Sequence, residues 1–196
     1  MVTTREWLDE CTDLLLRTVD GLSDGDFDAP SALPGWTRRH LVAHVHYNAE
    51  ALRRLVGWAN TGIENRMYAS TEQRNAEIEE GSRLPVATLR ELVHGSARAL
   101  AEDLDSLPEQ AWRNEVVTAQ GRRVPASEIP WMRTREVAVH AVDLAAGVDF
   151  TDLPAGLLRA LADDVLGKRF AAGHGPDLVR WLTGRSDTAP ALGPWL

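Results

Sequence analysis

Four long segments of this chain carry apolar residues at helical spacing, and this pattern constrains the fold more than any other feature. Residues that recur every three or four positions share one helix face, which must be buried against a neighbour. The segments span residues 3–21, 37–61, 85–107 and 127–147. Few segments alternate with the period of a strand, so we expect an all-α fold built on an antiparallel four-helix bundle.

Shorter elements are predicted between and after these helices. Ser70 is placed to begin a short acidic helix that ends near residue 80, and Ser127 is placed to cap the fourth long helix. Residues 116–124 have the alternation and the central Gln-Gly of a small hairpin. We expect a bundle over residues 1–150 and a short helical extension over residues 151–196, ending in a tail packed through Trp195.

Composition limits the classes of function. The formal net charge of -8 argues against nucleic acid or an anionic membrane as a partner. A single cysteine, Cys11, excludes an internal disulfide and a cysteine-based zinc site. Neither a signal peptide nor a membrane-spanning stretch is visible, so we expect a cytoplasmic protein. We also expect its partner to be a small molecule. The oligomeric state is left open.

The fourth helix carries a polar pair on its apolar face. Glu136 and His140 lie four residues apart and therefore project from the same side, together with Val137 and Leu144. A carboxylate and an imidazole on a core face are costly unless something satisfies them. The pair fits either metal ligation or a simple Glu-His hydrogen bond at a helix seam.

The second helix carries three histidines whose spacing separates them. His44 lies on the apolar stripe and is the strongest ligand candidate, although a core histidine bonded to a neighbour has the same pattern. His46 aligns with Glu50 on the polar side, where we expect a solvated ring. His40 lies at the margin of the stripe, as a group behind the site, a substrate contact or a rim residue.

Facing helices of a bundle can bring such side chains together as one metal site. His44, Glu136 and His140 would supply two imidazoles and a carboxylate, a set that suits zinc with one position left open. Iron(II) uses the same ligand types, so the residues alone do not choose the metal. Asp143 is spaced to accept a hydrogen bond from the His140 ring, or else to be a solvated helix charge.

Several ordered motifs resemble the mycothiol-dependent maleylpyruvate isomerase family, whose members are similar to the DinB-like metal-binding helix bundles. They are LPGWTRRHLVAH at 33–44, MYAS at 67–70, PWMR at 130–133, EVAVHAVDL at 136–144, WLTGR at 181–185 and PWL at 194–196. The resemblance implies that His44, Glu136 and His140 are zinc ligands and that Arg185 matches a functional arginine near the family's C-terminus. It also implies that most of the usual C-terminal domain is missing here.

Three functions remain compatible with this sequence. The resemblance implies a zinc-dependent enzyme that uses mycothiol, either as an isomerase of maleylpyruvate-like acids or as an S-transferase, with Arg185 and His40 as candidate catalytic residues. A metal-dependent hydrolase could use water at the same open position. A non-catalytic metal- or thiol-binding module is the third. Cys11 lies on an apolar helix stripe, so we expect it to pack rather than to serve as a nucleophile.

Overall fold

The computed structural model describes residues 3–193, and within them the chain forms two compact units. The first extends to Asp152 and the second begins at Leu153. The first unit holds five helices: α1 (Thr4–Gly21), α2 (Arg38–Thr61), α3 (Thr71–Gly81), α4 (Val86–Ser106) and α5 (Ile129–Asp143). Strands β1 (Glu115–Val117) and β2 (Arg123–Pro125) pair antiparallel. The expected all-α class and the small hairpin are both confirmed.

Helices α1, α2, α4 and α5 form the bundle, two in each direction. Side-chain pairs fix the directions: Arg5 with Asp105 makes α1 antiparallel to α4, and Arg38 with Leu144 makes α2 antiparallel to α5. Helices α2 and α4 run parallel, since His46 on α2 meets Leu92 and, further along, Arg53 meets Asp103. A parallel pair needs a long connection, and residues 62–85 with α3 provide it.

Local signals explain where several helices begin. The Thr3 hydroxyl accepts from the Glu6 amide while the Glu6 carboxylate accepts from the Thr3 amide, which is the expected capping box. The Ser70 hydroxyl caps α3 by accepting from the Gln73 amide. The predicted cap at Ser127 is wrong, because residues 126–128 form a 3-10 turn and α5 begins at Ile129.

The end of α5 also differs from the expectation. The helix stops at Asp143 rather than near residue 147, and Ala145 adopts a left-handed conformation with φ of 51°. Arg38 of α2 donates to the carbonyls of Leu144 and Ala145, at 2.7 and 2.6 Å. A cation at a helix C-terminus is favoured by the helix dipole, so this contact fixes the end of α5 against α2.

The second unit contains α6 (Ala155–Ala171) and α7 (Gly175–Leu182). That this unit is a separate domain stays a prediction, and the predicted packing of Trp195 lies outside the described residues. Within residues 3–193, no helix is long and apolar enough to cross a membrane.

Candidate metal centre at the seam of α2 and α5

His44, Glu136 and His140 meet at the seam between α2 and α5. One side-chain atom from each lies within 4.8 Å of the others. The Nε2 atom of His44 is 3.1 Å from Oε2 of Glu136, and the Nε2 atom of His140 is 3.4 Å from the same oxygen. The structure therefore brings the three side chains together from facing helices, as predicted from the sequence.

The helices are tied together one turn from this cluster. Arg133, which is 2% exposed, donates through one Nη atom to the Val45 carbonyl and to the Asn48 side-chain oxygen on α2. Arg133 precedes Glu136 by three residues, so this tie sets the height of Glu136 relative to His44.

The three groups have pKa values shifted in different directions. Burial lowers the pKa of His44, and the hydrogen bond to Glu136 opposes this only in part. Burial also acts to lower the pKa of His140, but hydrogen bonds to Asp143 and Glu136 outweigh it and raise the pKa to about 9. Burial alone would raise the pKa of Glu136, yet its bonds to both imidazoles hold that pKa well below its usual range.

At neutral pH the metal-free cluster is therefore a carboxylate between a protonated His140 and a neutral His44. The protonated ring donates on one side to Glu136 and on the other to Asp143, whose Oδ2 lies 2.9 Å from its Nδ1. The sequence left Asp143 as either a partner of His140 or a solvated charge, and this distance favours the partner role. A carboxylate behind a ligating histidine orients the ring and raises its basicity.

The donor set fits a divalent metal. Four ligands at zinc bond lengths of about 2.0–2.2 Å place neighbouring donor atoms about 3.4 Å apart. The two Nε2–Oε2 separations are 3.1 and 3.4 Å, and all three donor atoms lie within 4.8 Å of one another. Three protein donors leave a position for an exogenous ligand, which is the pattern of a catalytic site. A metal here would replace the proton that His140 otherwise shares with Glu136.

His40 lies one turn before His44 but has other partners. Its Nδ1 atom is 2.8 Å from the Thr37 hydroxyl and its Nε2 atom is 3.3 Å from Oε2 of Glu79. Its ring stacks on Trp36, whose ring also lies 5.5 Å from that of His44. Both nitrogens are thus engaged within the protein, and a catalytic role for His40 stays a prediction.

Arg185 belongs to the second unit, three residues after the end of α7. Its side chain is exposed and donates to the Thr183 carbonyl, while its amide donates to the carbonyl of Arg180 at 2.8 Å. These contacts fix the turn after α7. The catalytic role of Arg185 stays a prediction.

His46 is the clear error of the sequence analysis. We expected a solvated ring on the polar side of α2, but His46 is only 9% exposed and its Nδ1 atom lies 3.2 Å from the Leu92 carbonyl. The prediction assumed that α2 buries a single apolar face against one neighbouring helix. In the structure α2 packs between α4 and α5 and buries two faces. Cys11 packs as expected, at 1% exposure.

Three side chains near the cluster were missed as site residues: Trp36, Tyr68 and Arg74. An Nη atom of Arg74 lies 3.4 Å from Nδ1 of His44, and its guanidinium lies over the Tyr68 ring, 5.9 Å from the centroid. A signal was present, because Arg74 precedes the buried Ile78 by four residues and so shares its face.

Known proteins resemble this chain in sequence and in fold. Residues 8–145 match the mycothiol maleylpyruvate isomerase N-terminal domain family. The crystal structure of the mycothiol-dependent maleylpyruvate isomerase is 47% identical, with a TM-score of 0.81 over 83% of this chain and 68% of that one. A structure of that isomerase with one histidine replaced by alanine is 46% identical, with the same TM-score and coverage.

A search among curated proteins finds no match. The family match covers well over half of the chain, and the similarity to the isomerase structures extends over four fifths of it. The DinB-like fold expected from the sequence is thereby confirmed. This chain belongs to the mycothiol maleylpyruvate isomerase family of enzymes.

Proposed function

We propose that this chain is a zinc-dependent isomerase that uses mycothiol to convert a maleylpyruvate-like cis acid into its trans isomer. The observation that carries the proposal is the cluster of His44, Glu136 and His140, in a chain 47% identical to a mycothiol-dependent maleylpyruvate isomerase. His44, Glu136 and His140 would hold the metal, and Asp143 would orient His140 through its 2.9 Å hydrogen bond.

The zinc ion, when bound, would lower the pKa of a thiol at its open position so that the thiolate is available near neutral pH. The sulfur would then add to one carbon of the cis double bond, and the electron pair of that bond would move onto the conjugated carbonyl. The former double bond would then be single and could rotate. Return of the electron pair would expel the thiolate, so that the thiol is regenerated and the product is the trans isomer.

The protein's own thiol is a poor substitute for mycothiol. Burial, and to a smaller extent the charge of the nearby Glu10, raise the pKa of Cys11 to about 11. Because the thiolate is the nucleophile, a buried thiol with a raised pKa is inert at neutral pH. An added low-molecular-weight thiol is therefore the nucleophile that we propose.

The test is an isomerisation assay with maleylpyruvate and zinc-loaded protein, with mycothiol present or omitted. We expect the trans product only when the thiol is present, and loss of turnover after chelation of the metal. Turnover at the same rate without thiol would contradict the proposal, and release of a hydrolysis product would favour the hydrolase. A stable thiol adduct as the sole product would identify an S-transferase instead.

A further inference from the structure

A small cavity lies beside the metal cluster, between the loop before α3 and the hairpin. It has a volume of about 240 Å³ and is lined by residues 66–71, Arg74 and the hairpin residues 117–119 and 121. Arg74 and Tyr68 also approach the metal cluster, so the cavity adjoins the candidate centre.

Arg74 brings a positive charge to this cavity. Among residues 3–193, no carboxylate lies within ion-pair distance of its guanidinium; its partners are the Asn75 side-chain oxygen at 3.2 Å, the His44 ring and the Tyr68 face. Arg66, also on the cavity wall, is paired with Glu64 at 2.6 Å. A half-buried guanidinium without an anion is an arrangement that a bound carboxylate would complete.

The position of Arg74 in α3 adds to this. It lies in the first turn of the helix, where the helix dipole disfavours a cation and favours an anion. An anion placed between Arg74 and the start of α3 would gain from both. The helix dipole alone disfavours an arginine at this position, whereas a bound anionic ligand would stabilise its charge.

The contact between Arg74 and His44 depends on the state of the metal site. In the metal-free cluster, Nε2 of His44 donates to Glu136, so Nδ1 is free to accept from Arg74 at 3.4 Å. When Nε2 is a ligand, the proton of the neutral ring must be on Nδ1, which can no longer accept. Metal binding would therefore release the Arg74 donor toward the cavity.

We propose that Arg74 binds a carboxylate of the substrate in this cavity, beside the metal centre. The inference rests on the proposed function, whose substrate carries a carboxylate at each end, and it assigns one of these ends to the first unit. A planar guanidinium can hold such a carboxylate through two parallel hydrogen bonds. The cavity then determines specificity for acids over neutral electrophiles.

The test is calorimetric titration of zinc-loaded protein with maleate, a cis dicarboxylate, in the absence of thiol. We expect Arg74→Gln to weaken maleate binding at least tenfold, Arg74→Lys to retain part of the affinity, and dimethyl maleate to bind both wild type and Arg74→Gln equally weakly. Arg83→Gln is the matched control, since Arg83 is 73% exposed near the end of α3 and the change in charge is the same.

The proposal is overturned if Arg74→Gln binds maleate as wild type does, or if wild type does not bind maleate. It is also overturned if Arg74→Gln loses its zinc, because Arg74 would then support His44 rather than the substrate. Turnover is not measured in this test. A protein that binds maleate through Arg74 but does not isomerise maleylpyruvate would refute the proposed function alone.

Discussion

Helix α2 buries two histidines, His44 and His46, against different neighbours. His44 faces α5 and meets the carboxylate of Glu136 and the ring of His140. His46 faces α4, where its Nδ1 atom lies 3.2 Å from a backbone carbonyl. Burial is similar, at 5% and 9% exposure, and in both cases burial lowers the pKa of the ring.

The difference lies in the partners. A backbone carbonyl satisfies one imidazole N–H and leaves a structural residue. The seam of α2 and α5 instead gathers two rings and a carboxylate whose donor atoms converge, with Asp143 behind one ring. Convergence of donors, rather than burial of a histidine, therefore separates a candidate metal centre from ordinary core packing.

The largest expected effect is on zinc binding, which should depend on the histidines between α2 and α5 and not on His46 between α2 and α4. His44→Ala or His140→Ala should abolish stoichiometric zinc, because two donors are too few for a stable site. His46→Ala should retain zinc and lower the melting temperature, since a buried hydrogen bond is worth about 1 kcal/mol. Metal analysis and thermal unfolding, followed by circular dichroism, measure both. Full zinc content in both His44→Ala and His140→Ala would contradict the metal site between α2 and α5. Loss of zinc in His46→Ala would contradict the structural role of His46.

A smaller effect on zinc affinity is expected at Asp143, which hydrogen-bonds to the ring of His140. Asp143→Asn should weaken zinc binding by about 10–100-fold, since it removes the charge that orients and polarises His140. Competition with a chromogenic chelator measures the affinity. Asp149→Asn, an exposed change that also removes one carboxylate, is the control and should have no effect. An unchanged zinc affinity in Asp143→Asn would show that Asp143 is only a charged residue of the helix, without a role in the metal site.

A residue of the second unit, Arg185, is expected to affect turnover without affecting zinc binding. If Arg185 binds an anionic group of the substrate, Arg185→Ala should lower turnover about tenfold, or about 1.4 kcal/mol of transition-state stabilisation. Zinc content should be unchanged, because Arg185 is not among the clustered donors. Steady-state kinetics with zinc-loaded protein measure this. Wild-type turnover would confine the catalytic residues to the first unit.

The smallest effect is expected at Cys11, which represents ordinary core packing in α1. Because burial raises its pKa to about 11, only about one thiol in a thousand is ionised at pH 8. Labelling of the native protein by a thiol reagent should be slow and should accelerate as the pH rises toward 11. Cys11→Ala should change turnover by less than about twofold. Rapid labelling at pH 8 coupled to loss of activity would make Cys11 a rival nucleophile.

The sequence predicted the bundle and the three clustered side chains because both depend on helical spacing. Glu136 and His140 share a face at four residues apart, and His44 lies on the strongest apolar stripe of its helix. His46 was misplaced because one stripe was assigned to a helix that packs on two sides. Helical periodicity describes a single helix and carries no information on how many neighbours surround it.

Arg74 shows a second limit. Its helix has a weakly amphipathic, acidic sequence, and what makes Arg74 important is its 3.4 Å approach to a histidine thirty residues earlier in the chain. Such an approach is set by how the loop before α3 folds back on α2. The Ser127 cap failed for a related reason, because a 3-10 turn competed with the helix for the same residues.

As proposed above, the α2–α5 seam holds a metal whose open position takes up a thiol. The most direct measurement is the absorption spectrum of cobalt(II)-substituted protein during titration with mycothiol. We expect about one cobalt per chain and a sulfur-to-cobalt charge-transfer band that saturates at about one thiol per chain. The band should be absent in His44→Ala. A cobalt spectrum of the wild-type protein that does not change on addition of the thiol would contradict the account.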